Sequence, residues 1–397
     1  MQAASPRKIL KLRPLTSIYL ALATCATVLL SCDNKNTETT PSTEAPASTH
    51  RVQPNNTSEK LWSNINEVVN QASSSATALS NNVDQLLNTP SAQTLAAAQQ
   101  QWKALEPKLH ALNYLFHLNH SGVEQLSSIN DLEFRLLAHP IQPGYLDSYG
   151  DYKFSGLVHD IGTTISAETL IEQHGFSDAE EAVLGLYPLY YTLFGEHSSR
   201  QVEDFLRQES LSTEQSANKL NNIEEIASNR RRNLLLAQQK QLNNDIETLT
   251  HSLDNSNPDR LTQRWREINS VQQNHIVLNA LRHALAEAIV KLVDIQKHTQ
   301  THAQEERTEE EILPSIKPTE QLEPYEGGVR IDINIAQLES LQAGLNYLEP
   351  SKRENALSLL ATSTQALENL DGKTLSTEKA LAESYSALNE LSKILRE

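Results

Sequence analysis

The chain has 397 residues, 21% of them charged, and a formal net charge of −17. So acidic a surface repels nucleic acid phosphates and anionic lipid headgroups, and neither is expected as a ligand. Its only cysteines are Cys25 and Cys32, so the body beyond them has no disulfide, and cysteine proteases, thiolate zinc sites and thiol redox chemistry are excluded there.

An export signal comes first. Arg7, Lys8, Lys11 and Arg13 precede an apolar stretch from Leu15 to Leu30, with no acidic residue among them, the basic and apolar regions of a secretory signal. The stretch is shorter than the ~20 residues a membrane-spanning helix needs. It closes on Leu29-Leu30-Ser31-Cys32, which resembles the lipobox of bacterial lipoproteins: small residues suit a peptidase cleft, and a thiol beside the cut accepts the lipid. Residues 1–31 are read as the signal peptide and Cys32 as the lipidation site, where two or more acyl chains (palmitate among them) anchor stably. Losing the four basic residues takes the net charge from −17 to −21. The bilayer is thus a partner through Cys32 and the body is expected in the periplasm; Asp33, next to the lipidated residue, points to the inner membrane.

Residues 32–57, polar and rich in Thr, Pro and Asn, read as a flexible tether. Helical periodicity begins at Ser58 and places Leu61, Ile65, Val68, Val69, Ala72, Ala76, Leu79, Val83 and Leu86 on one face, until Asn88-Thr89-Pro90 stops it. A second helix aligns Leu95, Ala98, Trp102, Leu105, Leu109, Leu112 and Phe116, with Pro107 expected to kink or divide it. Residues 138–162 form a long loop rich in glycine and aromatic residues. Helices are expected at 164–174, 178–194, 212–254, 259–300, 335–348, 351–369 and 375–396, with a Glu- and Pro-rich solvated linker at 301–330 and an extended piece at 329–334. The fold class is all-α, as two packed antiparallel helical bundles, 58–209 and 210–397.

The runs Leu146-Asp147-Ser148-Tyr149, Gly162 to Leu170 and Gly185 to Glu196, followed in order by Arg231-Arg232 with Leu234 and Leu235, by Tyr325-Glu326-Gly327-Gly328 and by Leu338, Leu341 and Gly344, resemble the imelysin-like proteins. The resemblance covers most of 58–397. It implies an exported, all-helical protein of two bundles, in a family named as peptidases and often linked with iron uptake. The family signature is Gly-x-His-x-x-Glu, in which His and Glu at i and i+3 share a helix face and can converge on a cation. Here Gly185 is kept, but Tyr187 stands for the histidine and Tyr190 for the glutamate. A phenol with a pKa near ~10 is neutral at pH 7, and Pro188 disfavours helical geometry at Tyr187. The family's metal centre is therefore expected to be absent, with no catalytic residue and no cofactor.

Tyr145, Tyr149, Tyr152, Phe154, Phe176, Tyr187, Tyr190, Tyr191 and Phe194 crowd into one region. They fit either an aromatic-walled ligand pocket or a bundle core whose hydroxyls find partners. The pocket reading takes Tyr145, Tyr149, Tyr152, His159, Asp160, Glu196 and His197 as its lining. His117 and His120, at i and i+3, are a further pair able to share a metal, with His110 two turns before His117; exposed helical histidines are equally common. No phosphate-binding glycine loop, His-Glu-x-x-His or nucleophile elbow occurs. These features point to an envelope binding or accessory protein acting on a small ligand or partner protein, with links to metal or haem acquisition. The alternatives are a metal-dependent hydrolase with substitute ligands His159, Asp160, Glu196 or His197, and a structural envelope component.

Overall fold

In the computed structural model, the structure describes residues 56–217, 220–308, 331–370 and 374–396. The signal peptide, Cys32 and all but the last two residues of the expected tether lie outside these.

Helix α1 (Asn56–Asn88) buries the apolar stripe from Leu61 to Leu86 at spacings of three and four. Pro90 ends it by disfavouring helical geometry at Thr89. The next helix, α2 (Ala92–His110), starts on a capping box in which Ser91 Oγ accepts the Thr94 N–H at 3.1 Å and Thr94 Oγ1 accepts the Ser91 N–H at 3.0 Å. Pro107 does not itself divide the helix. Its carbonyl still accepts from Ala111 N at 3.0 Å, so the chain completes another turn before breaking into α3 (Asn113–Asn119).

A short α4 (Leu132–Leu137) and α5 (Ala167–Gln173) flank the long loop, and α6 (Leu186–Phe194) follows. The helix expected over 178–194 forms only in its second half. Gly185 has φ +103°, a left-handed backbone, and the buried residues before it lie outside any helix. The Val183 and Leu184 N–H groups are met by His174 Nδ1, each at 3.3 Å.

After α7 (Thr213–Ala217), the long helix expected from 212 begins only as α8 (Ala227–Leu253). Asn222 caps a tight turn before it, accepting from Glu224 N at 2.8 Å. The expected 259–300 helix is likewise split into α9 (Leu261–Trp265) and α10 (Ser270–Thr308). Gln273 Nε2 donates to the carbonyls of Trp265 and Ile268, at 2.8 and 2.9 Å, which stabilises the break. Because α10 reaches Thr308, residues 301–308 of the expected linker are helical; 309–330 lie outside the described residues. The expected extended piece is instead, from 331, the first turn of α11 (Ile331–Ser340), and α12 (Pro350–Glu368) and α13 (Thr374–Arg396) close the chain.

The fold is all-α. Among the described residues no strand occurs, only an isolated bridge between Tyr149 and Tyr152. α1 packs along α2 and α8; α10 packs on α3 and α13, and α12 on α13. α8 therefore lies against α1 although it follows the bundle boundary expected at 209/210, and α11 packs on α2 as well as on α12.

Candidate functional site

The loop over 138–163 is held from below. Its two arms pair where Leu157 N and Val158 N donate to the carbonyls of Tyr145 and Leu146, both at 3.0 Å. Beneath them Asp147, 7% exposed, accepts from Arg231 Nε at 2.6 Å, Arg231 Nη2 at 3.1 Å and Arg200 Nη2 at 2.9 Å. His159 Nε2 lies 3.3 Å from the same carboxylate, and the Ser148 N–H donates to it at 2.8 Å. Burial alone would raise the Asp147 carboxyl. His159 and then the two guanidiniums overcome burial and hold it well below the ordinary carboxylate range. A carboxylate so saturated with donors is a poor proton acceptor. It works as an anchor.

The anchor is completed by three consecutive arginines, 230–232, where the first turn of α8 passes into the second. Successive helical residues point ~100° apart, so each addresses a different segment. Arg230 donates to the carbonyls of Leu157, Val158, Asp160 and Thr163 at 2.6–2.9 Å. Arg231 takes Asp147, and Arg232 takes the carbonyls of Phe205 at 2.7 Å and Leu87 at 2.6 Å. Positive charge near a helix N-terminus is unfavourable; the Asp147 carboxylate and seven backbone carbonyls offset that cost here.

The residues expected to line a pocket are spread over this anchored loop. Glu196 accepts from Gly150 N at 2.7 Å, and Asp160 closes its own turn, accepting from Gly162 N at 3.0 Å and Thr163 Oγ1 at 2.5 Å. Tyr145 is half-buried, with its hydroxyl pKa raised first by burial and then by Glu181, and Tyr149 pairs with Tyr152 through the backbone. Tyr152 and Phe154 project into solvent, 74% and 86% exposed. His159 meets the Phe154 ring edge-on at 5.8 Å. His197 lies in the tight turn Glu196–Ser198.

The family-motif positions sit elsewhere, inside the core. A side chain at Gly185 would meet the Arg135 carbonyl at 2.6 Å, so glycine is required for packing as well as for its backbone. α6 passes through Pro188 without breaking, because the third residue of a helix needs no intrahelical N–H partner. The Tyr187 hydroxyl bonds His110 Nε2 at 2.7 Å, and its ring lies 4.7 Å from that of His139. Tyr190 stacks on Phe194 at 4.3 Å, leans on Trp102 at 4.9 Å and reaches Ser198 Oγ at 3.3 Å. Trp102 Nε1 in turn donates to the Leu186 carbonyl at 2.8 Å. Two buried phenols, one bonded to an imidazole and the other stacked between aromatic rings, do not fit the imidazole–carboxylate pair with which relatives would hold a cation. Glu106 is buried beside them, on the Trp102, Glu106, His110 row at i, i+4, i+8 of α2.

No curated protein is significantly similar to the chain. A solved structure from Parabacteroides distasonis, designated an iron-regulated protein A precursor, is 12% identical, with 87% of this chain and 97% of that chain covered at a TM-score of 0.49. The family model described as Imelysin, peptidase M75, matches residues 67–388. With four-fifths of its length inside that match, and with the motif glycine kept at Gly185, the chain belongs to the imelysin family.

Proposed function

We propose that this chain is a lipid-anchored envelope protein that uses the imelysin scaffold to bind a ligand or partner without catalysing a reaction, in the service of iron or haem acquisition. One observation carries the non-catalytic reading: Tyr187 and Tyr190 occupy the signature positions as core side chains, 7% and 4% exposed. A neutral phenol in such a place neither activates water nor replaces a carboxylate as a general base. The lipid anchor rests on Leu29-Leu30-Ser31-Cys32, and the iron connection on the family resemblance.

The test is hydrolysis. Purified protein, stripped with chelator and then supplied with Zn²⁺ or Fe²⁺, is expected to leave casein and mixed peptide substrates intact. Metal-dependent cleavage abolished by substitution of His159, Asp160 or Glu196 would overturn the reading in favour of a hydrolase with substitute ligands. In cells, Cys32→Ser is expected to move the protein out of the membrane fraction.

A further inference from the structure

A second group of metal-ligating side chains lies away from the signature, where α3 packs on α10. Its centre is His117. His117 Nε2 is 3.1 Å from Glu287 Oε2, and its ring centroid is 5.4 Å from that of His120 and 6.4 Å from that of His283. The spacings are those of two chelating pairs. His117 and His120 are i, i+3 on α3 and the turn after it, and His283 and Glu287 are i, i+4 on α10, so each pair shares a helix face. We propose that His117, His120, His283 and Glu287 form a binding site for a divalent transition metal of the zinc, cobalt or nickel type.

The chemistry selects that class. Three imidazoles and one carboxylate are borderline ligands suited to Zn²⁺ and its neighbours rather than to Ca²⁺ or Mg²⁺, which demand oxygen cages. With metal–nitrogen bonds of ~2.0–2.1 Å, two imidazoles on one ion have ring centroids ~5–6 Å apart. The His117–His120 separation already meets this; the His283 ring lies nearly parallel to that of His117, at 19°, and has to turn as well as approach. Among the described residues no three such side chains yet converge on one point, because His120 is turned onto Glu133, with Nε2 2.5 Å from its carboxylate. His120 is half exposed and His283 is exposed, so rotation about side-chain bonds brings them in without repacking the core. Glu287 Oε2, which faces His117 and accepts from Asn113 Nδ2 at 2.8 Å, is placed to serve as the anionic ligand. Lys291 occupies the other oxygen, Oε1, at 2.7 Å. Each neutral imidazole would ligate through the lone pair of one ring nitrogen and keep its N–H on the other.

The site does not depend on the non-catalytic reading, and its test is separate from hydrolysis. Titration of the purified full-length protein with Co²⁺ is expected to show one ion per chain, with the visible absorption of tetrahedral cobalt, displaced by Zn²⁺. His283→Ala, at an exposed position, is expected to weaken binding by at least ~10-fold, and His117→Ala more strongly. His251→Ala, on α8 outside the cluster, is expected to leave it unchanged. Absence of saturable Co²⁺ binding, or binding that survives His283→Ala with its spectrum unchanged, would overturn the proposal. Hydrolysis by a protein that binds cobalt here would instead defeat the non-catalytic reading and leave the site standing.

Discussion

Asp147→Asn isolates the charge on which the loop over 138–163 rests. The asparagine keeps the volume and one acceptor oxygen, which can still serve Ser148 N, but it places an amide where Oδ2 now receives both Arg231 Nε at 2.6 Å and Arg200 Nη2 at 2.9 Å. Two guanidiniums, 6% and 8% exposed, would then face each other with only the more distant and more exposed Asp204 carboxylate, at 3.6 and 3.8 Å, as counter-charge. Breaking a buried pair by removing one partner costs ~3–5 kcal/mol. At roughly 2–4 °C per kcal/mol for domains of ordinary size, and toward the lower end for a larger unit, the melting temperature should fall by on the order of 10 °C. Limited proteolysis should show new cutting between 149 and 163. The pH dependence identifies the charge as the cause. A carboxyl held low in the folded state contributes stability above its unfolded pKa of ~3.9 and loses that contribution as the pH falls through the folded value. The gap between wild type and variant should therefore be full at pH 7 and narrow below about pH 4. A melting temperature within ~2 °C of wild type at pH 7 would refute the argument.

Arg230→Met keeps the aliphatic stem but strips the donors from four loop carbonyls. A loss of ~2–4 kcal/mol in urea unfolding is expected, with the helical circular dichroism of the folded state retained. Gly185→Ala forces a side chain into a left-handed backbone and against the Arg135 carbonyl, so it should cost ~2 kcal/mol or more by thermal melting. Tyr187→Phe removes the hydroxyl that bonds His110 and should cost about 1 kcal/mol by the same measurement. Restoring the family pair as Tyr187→His with Tyr190→Glu should destabilise the fold by ~3 kcal/mol or more, because the carboxylate would lie between Trp102 and Phe194. Added Zn²⁺ that recovered the lost melting temperature would show that the scaffold still accepts the centre.

What could be read from residues alone was whatever local spacing encodes. The stripe from Leu61 to Leu86 announced α1 because a period near 3.6 leaves no other way to bury those side chains, and Ser91 with Pro90 marked the join to α2. The loss of the signature pair was equally plain, since it concerns the identity of side chains at fixed offsets. The aromatic crowding was legible as a fact but not as an outcome: the same tyrosine type became core at 187 and 190 and solvent-facing at 152. Helix ends at 185, 226 and 266–269 were also missed. They are set by a left-handed glycine and by side chains that bond backbone N–H and carbonyl groups, neither of which disturbs the hydrophobic pattern.

Tertiary structure decided the rest. Asp147 and Arg231 are 84 residues apart and His117 and Glu287 are 170 apart; no periodicity in either stretch names the partner. Consecutive arginines at 230–232 fall inside the helix expected over 212–254, yet they are the clamp that fixes the loop, because burial makes an ion pair or a carbonyl contact obligatory wherever a charge leaves water. Sequence determines which side chains must be buried and which turns the backbone can make. Only the packed chain determines which charges meet.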